Sequence, residues 1–173
     1  MIIRKAVIEE IQKIAFPPIV NNDSQILILG TMPGDRSLQL QQYYGHAGNH
    51  FWKILFTLFN MPFTKDYEVR RQLLIDHGIA LWDVLRACEC EGSSDNNIKN
   101  EVPNDFQSFY STYPAIKHVF FASKKAEAFY DKYVGKDPGK EYKTLPSPSS
   151  ANTWSTLEQK VEVWKQIKTK LSS

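Results

Sequence analysis

The feature that most restricts this chain is the run Gln25-Ile26-Leu27-Ile28-Leu29-Gly30, apolar at consecutive positions and closed by glycine. A strand with one wet face alternates apolar and polar residues, so a run apolar on both faces belongs in a parallel sheet covered on both sides. Ile79-Ala80-Leu81-Trp82 and His118-Val119-Phe120-Phe121-Ala122 have the same character, and Tyr142-Lys143-Thr144-Leu145 reads as a short fourth strand. Helical spacing fills the intervals. Residues 49–60 carry Phe51, Trp52, Ile54, Leu55, Leu58 and Phe59, and further helices are expected over 66–77, from Asn104-Asp105 through Tyr110, and from Ser123 to Tyr133. Ser155-x-x-Glu158 has capping-box spacing before a last helix with Leu157, Val161, Trp164 and Ile167. At the other end, Ile3, Val7, Ile8, Ile11 and Ile14 form a helical stripe over residues 3–15, ended by Phe16-Pro17-Pro18. Alternation of strand and helix predicts a three-layer α/β/α sandwich with a central, mainly parallel four-stranded sheet.

The 173 residues suit one domain, 1–173, and 42% hydrophobic with 23% charged residues excludes a disordered or collagen-like chain. With 21 basic against 19 acidic residues the net charge is +2, which leaves room for a local basic face without announcing one. Cys88 and Cys90, spaced C-x-C, form no metal knuckle, and two cysteines are too few for an iron–sulfur cluster, so no metal or cofactor is expected. The charged N-terminus is no signal peptide and no apolar run approaches a membrane span, which places the chain in the cytoplasm, on the nucleoid in a prokaryote.

In open parallel sheets ligands bind beyond the carboxyl ends of the strands, which draws attention to residues 30–49, 83–100, 122–124 and 146–153. Residues 31–48 show no period and read as a long loop. It starts with Gly30-Thr31-Met32-Pro33-Gly34, where glycine admits close approach of a ligand and Pro-Gly sets a tight turn. It is not a P-loop, and no G-x-G-x-x-G occurs. Next, Tyr43-Tyr44-Gly45-His46-Ala47-Gly48-Asn49-His50-Phe51-Trp52 gathers aromatics, imidazoles and an amide. An exposed aromatic there can stack on a base, and Asn49 can orient a water or simply cap the following helix. Finally, Leu145-Pro146-Ser147-Pro148-Ser149-Ser150-Ala151-Asn152 is a stiff, hydroxyl-rich loop suited to a phosphate, or an ordinary loop before a capped helix.

In this order and spacing the three segments resemble the uracil-DNA glycosylase superfamily, across the whole chain. The nearest branch is that of the hypoxanthine (deoxyinosine) DNA glycosylases, which read G-[ST]-x-P-G-x-x-S-L, Y-Y-x-H-x-x-N-x-F-W and L-P-S-x-S-x-A-N. Gly30 to Leu38, Tyr43 to Trp52 and Leu145 to Asn152 match these. One position departs from the mismatch-directed uracil/thymine branch: where that branch has a water-activating Asn before Pro-Gly, this chain has Met32, a thioether that cannot orient a water.

The resemblance implies a monofunctional enzyme that flips a deaminated base out of DNA and hydrolyses its N-glycosidic bond. It assigns Asn49 as the catalytic amide. The base pocket would be Gly30, Thr31, Met32, Tyr44 and Ser123, with Tyr44 stacking on the base. Pro33, Gly34, Ser37, Ser147, Pro148, Ser149 and Asn152 would hold the DNA backbone, with Arg36, Lys124 and Lys125 as further phosphate contacts and Asp95 and Asn96 near the site. The partner is then DNA carrying a deaminated base, met by a monomer. The small, polar 149–152 segment is unlike an apolar wedge, with Trp154 as the alternative. His46, His50, His77 and His118 are expected to be structural. Rival readings are a uracil- or thymine-directed glycosylase of this fold, a DNA-binding relative without catalysis, and a small-molecule hydrolase, which lacks a G-x-S-x-G elbow here.

Overall fold

A computed structural model describes residues 12–171. Its first element, β1 (Gln12–Ile14), is a short strand. The helix expected over 3–15 is therefore corrected at residues 12–14, and the rest of it lies outside the described residues. A helical stripe is a local pattern; what decides these three residues is antiparallel pairing with a strand some seventy residues away, Gln12 opposite Glu89 and Ile14 opposite Ala87.

The central sheet is built from β2 (Ile26–Gly30), β3 (Ile79–Asp83), a strand at His118–Phe121 and one at Glu141–Thr144. All pairings are parallel, and β3 and the 118–121 strand flank β2 on either side, with the 141–144 strand at the edge. Every residue of β2 and β3 is buried. Side chains alternate across the sheet: Ile26 and Ile28 pack on one face with Phe51, Leu55, Leu74 and Trp164, while Leu27 and Leu29 pack on the other with Phe106, Phe109, Phe129 and Tyr130. Two apolar faces demand two helical layers, which makes the three-layer sandwich.

Two segments read as loops from the sequence contain regular structure. Residues 31–48 hold a six-residue helix, α1 (Asp35–Leu40), too short to show a period. Residues 83–100 hold most of a second, antiparallel sheet: β4 (Leu85–Glu89) lies between β1 and β5 (Lys99–Pro103). The β4–β5 ladder has register shifts, and β5 is polar and mostly exposed, so neither alternation nor strand-favouring residues mark it.

The remaining helices are α2 (Phe51–Leu58), α3 (Tyr67–Asp76), α4 (Phe106–Thr112), α5 (Lys124–Tyr133), α6 (Leu157–Trp164) and α7 (Gln166–Thr169). The strands at 118–121 and 141–144 are β6 and β7. The capping box of α6 sits one residue later than expected. Thr156 Oγ1 accepts from Gln159 N–H (3.2 Å) and Gln159 Oε1 accepts from Thr156 N–H (2.9 Å). Both Ser155-x-x-Glu158 and Thr156-x-x-Gln159 satisfy the pattern, and burial of Lys160 and Trp164 against the core selects the second. Thr156→Ala should cost about 1 kcal/mol, read as a lower urea midpoint at unchanged slope; an unchanged midpoint would refute the cap's contribution.

Candidate active site

A cleft of about 750 Å³ opens beyond the carboxyl ends of β2, β3 and β6. That volume lies within the roughly 300–1,000 Å³ range of small-molecule sites. The thirteen residues expected as catalytic amide, base pocket and main DNA-backbone contacts line it, brought from the turn after β2, the segment before α2, the start of α5 and the loop before α6; of the further candidates Arg36 and Asp95 line it and Lys124, Lys125 and Asn96 do not.

The floor is the end of β2. Gly30 is in register with Asp83 on β3. A Cβ on Gly30 would lie 2.6 Å from Asp83 Oδ1 and 2.9 Å from the Tyr44 hydroxyl, so glycine is what lets these two polar groups meet over the strand end. Beside it Thr31 Oγ1 lies 3.4 Å from Ser123 Oγ, which also caps α5 by accepting from Ala126 N–H (3.1 Å). Met32 packs against the core on the β4 side, and Pro33 is buried.

Tyr44 occupies left-handed backbone space (φ 52°), an uncommon conformation for a side chain this large. Its ring stacks on Phe51, centroids 4.0 Å apart and planes 15° apart. One ring face is thus already covered by protein. The turn is held by Ser37, whose hydroxyl accepts from Gly45 N–H (3.0 Å), and by Tyr43 O, which accepts from the buried Trp52 indole (2.8 Å). Burial and Asp83 push the Tyr44 phenol well above its ordinary range, so it stays a neutral donor.

Asn49 Oδ1 accepts from Phe51 N–H (2.8 Å), so its amide orientation is set by the start of α2, while its Nδ2 has no protein partner among the described residues. The capping bond read as an alternative from sequence therefore exists, from one residue before the helix boundary at His50.

The 146–152 loop is fixed from within and from behind. Ser147 and Ser149 hydroxyls accept from Ser149 and Ala151 N–H (both 3.2 Å), and Asn152 Nδ2 donates to Ser147 O (3.0 Å). Pro148 O accepts from His50 N–H (2.8 Å), and Pro146 O from the Trp164 indole (3.0 Å). Lys160, fully buried, reaches Ser149 O and His50 Nδ1, each at 3.3 Å. Desolvation lowers the pKa of that lysine and of His50. Sequence reading missed Lys160, since a lysine on an amphipathic helix gives no sign of pointing inward.

Two carboxylates complete the cleft. Asp95, in a single helical turn at Asp95–Asn97 between β4 and β5, lines the cleft; burial raises its pKa, and Thr31 and Lys125 draw it partly back. Asp83 was not singled out from sequence, although an acid ending the apolar strand Ile79–Trp82 is a legible signal. Arg36 lines the cleft, Lys124, Lys125 and Asn96 are exposed, and Trp154 stands 95% exposed just past the loop. His77 meets Leu73 O (2.7 Å) and His118 pairs with Glu141 (3.3 Å), away from the cleft. Among the described residues no three His, Cys, Asp or Glu gather as metal ligands, and no helix is long and apolar enough to cross a membrane.

Fold and cleft together define a parallel-sheet α/β protein with a ligand-sized site at its strand ends. A family model for the Uracil DNA glycosylase superfamily matches residues 17–168. Two archaeal proteins named hypoxanthine DNA glycosylase are each 37% identical: that of Methanosarcina barkeri over 86% of this chain and 94% of its own, and that of Methanosarcina acetivorans over 81% and 88%. A solution NMR structure from M. acetivorans, whose proposed activity is that of a uracil DNA glycosylase, superposes with a TM-score of 0.75 at 32% identity. It covers 91% of this chain and 99% of the other. The chain belongs to the uracil DNA glycosylase superfamily. It is a DNA glycosylase, a hydrolase of N-glycosyl bonds.

Proposed function

We propose that this DNA glycosylase takes hypoxanthine as its base: it flips deoxyinosine out of DNA, hydrolyses the bond from N9 to the sugar, and leaves an abasic site for base excision repair. The observation that carries the reading is the convergence of the Asn49 amide, the Tyr44 ring and the Thr31–Ser123 hydroxyl pair on one cleft. The relatives named for hypoxanthine support it.

A base inside a duplex is out of reach, so the nucleotide must swing into the cleft, more cheaply from a mispair than from a normal pair. In this reading the flipped base lies against Tyr44 and the strand end. Backbone groups of Thr31 and Met32, with Ser123, meet its polar edge, and Asn49 aligns the water that attacks C1′ as the sugar takes on oxocarbenium character. The stiff 146–152 loop, with Pro33, Gly34 and Ser37, holds the strand around the lesion as a single domain acting as a monomer. Arg36, Lys124 and Lys125 add phosphate contacts. No lysine among the described residues lines the cleft, and Lys160 behind it is committed to His50 and Ser149 O, so in this reading the product is an abasic site without strand cutting.

The test is an excision assay on labelled duplexes carrying one deoxyinosine, deoxyuridine, deoxyxanthosine or G·T mismatch, with and without alkali. Deoxyinosine should be cut only after alkali, and DNA affinity should fall steeply with salt. Preferential uracil excision would move the chain to the uracil branch, the reading favoured by the solved neighbour and opposed by Met32. Salt-sensitive binding with no excision would make it a binding module.

A further inference from the structure

Asp83 has a burial and an environment that the reading above does not use. It is 4% exposed and lines the cleft, and its Oδ2 is buried without a hydrogen-bond partner among the described residues. Its carboxyl and the Tyr44 hydroxyl converge on the bare Cα of Gly30. A buried carboxylate normally keeps an arginine, a lysine or several N–H donors around it. Here the groups that bear on it are acidic or neutral. From the segment before α2 come the phenols of Tyr43 and Tyr44, and from the turn between β4 and β5 comes the carboxyl of Asp95. The nearby cations serve elsewhere: Lys125 acts on Asp95, and Arg36 stands exposed on α1.

Resting on the assignment of a purine to this cleft, we propose that Asp83 is a general acid, delivering its carboxyl proton to N7 of the departing 6-oxopurine. When the bond from C1′ to N9 breaks, its electron pair enters the imidazole ring, and N7, conjugated with N9 through C8, gains basicity. The proton passes from Asp83 to N7, and the base leaves as neutral hypoxanthine. Water supplies hydroxide to C1′, and its remaining proton restores the Asp83 carboxyl, so the sum is hydrolysis alone. Between those events the newly formed carboxylate faces the oxocarbenium-like sugar with opposite charge. For this role the acid must be protonated in the resting enzyme and must not be spent on a protein partner. Asp83 lines the cleft and its side-chain oxygens take no hydrogen bond from the described residues, which meets the second condition. Burial, reinforced by Asp95, meets the first by pushing its pKa up to about 8.

The experiment is single-turnover excision from a deoxyinosine duplex across pH 6–10, for wild type and Asp83→Asn. Wild type should hold a plateau and fall about tenfold per pH unit above pH ~8, as the acid loses its proton. Asp83→Asn keeps the shape and a hydrogen-bond donor but has no proton to give. It should excise about 10²-fold more slowly on the plateau, lose that alkaline limb, and bind the duplex with unchanged affinity. A second readout is stability. A carboxyl with a raised folded pKa keeps its proton in the native state while the unfolded chain has lost it, so wild type should lose stability as pH rises from ~4 to ~8. Asp83→Asn should flatten that slope. Excision by Asp83→Asn within threefold of wild type, or a wild-type profile flat to pH 10, overturns the general acid while leaving the hypoxanthine reading intact. Wild type that excises no hypoxanthine overturns both. The wild-type profile stands as a test even where the variant fails to fold.

Discussion

Asn49→Ala should slow excision of hypoxanthine by about 10³-fold with DNA affinity nearly unchanged. The reason is geometric. Phe51 N–H pins the amide oxygen at 2.8 Å, so its direction is set by backbone at the start of a buried helix. A group held this way contributes in the transition state without being reorganised there. Alanine removes both the chemistry and the bond to Phe51 N–H, at a stability cost of about 0.5–2 kcal/mol. Asn49→Asp separates the two, since its carboxylate still accepts from Phe51 N–H at a helix N-terminus and still offers an oxygen to water. It should melt close to wild type and excise faster than the alanine variant. Equal activity in wild type and Asn49→Ala would remove Asn49 from the chemistry and leave it a helix cap. Single-turnover rates and thermal melts on the same three proteins give the answer.

Gly30→Ala adds one methyl group and should disable the site by about 10²-fold. Its Cβ would stand 2.6 Å from Asp83 Oδ1 and 2.9 Å from the Tyr44 hydroxyl, distances real Cβ atoms do not keep. Gly30 has no positive φ, so the penalty is contact and not backbone strain. Relief can come only by moving the carboxyl, the phenol or the end of β2. All three border the cleft, and the strand end is locked by pairing with β3 and by Val84 N–H donating to Gly30 O (2.8 Å). Overpacking of this kind costs ~1–3 kcal/mol, a drop of several degrees in melting temperature for a domain of this size. Excision and DNA binding should both fall. A variant that melts and excises like wild type would show that the cleft floor yields freely.

Local patterns carried most of the scaffold. An apolar run is buried on both faces wherever it sits, so Ile26–Gly30, Ile79–Asp83 and His118–Phe121 were recognisable as central parallel strands before any pairing was known. The cleft position followed, because ligands of such sheets lie at the strand ends. Turn chemistry is local, so Pro-Gly, the paired serines and the Tyr-Gly step marked three segments of interest, but the individual lining residues came from the resemblance of those segments to the glycosylase motifs. What sequence could not reach depends on partners far along the chain. Gln12–Ile14 is a strand only because β4 is beside it, and Lys99–Pro103 only because β4 offers an edge. The α6 cap took its register from the buried side of the helix.

The same division runs through the site. Residue types and spacings in this chain specify an α/β sandwich, a glycine-opened strand end and an amide beside an aromatic. Tertiary structure alone decided that Tyr44 already leans on Phe51, that Lys160 turns inward to hold the 146–152 loop, and that Asp83 and Asp95 share one cleft. The physical reason is that a side chain's charge state and free valences depend on what surrounds it in space. Asp83 in the sequence is one acid among nineteen; packed against Gly30 and Tyr44, it is a carboxyl group whose pKa burial and Asp95 push up to about 8.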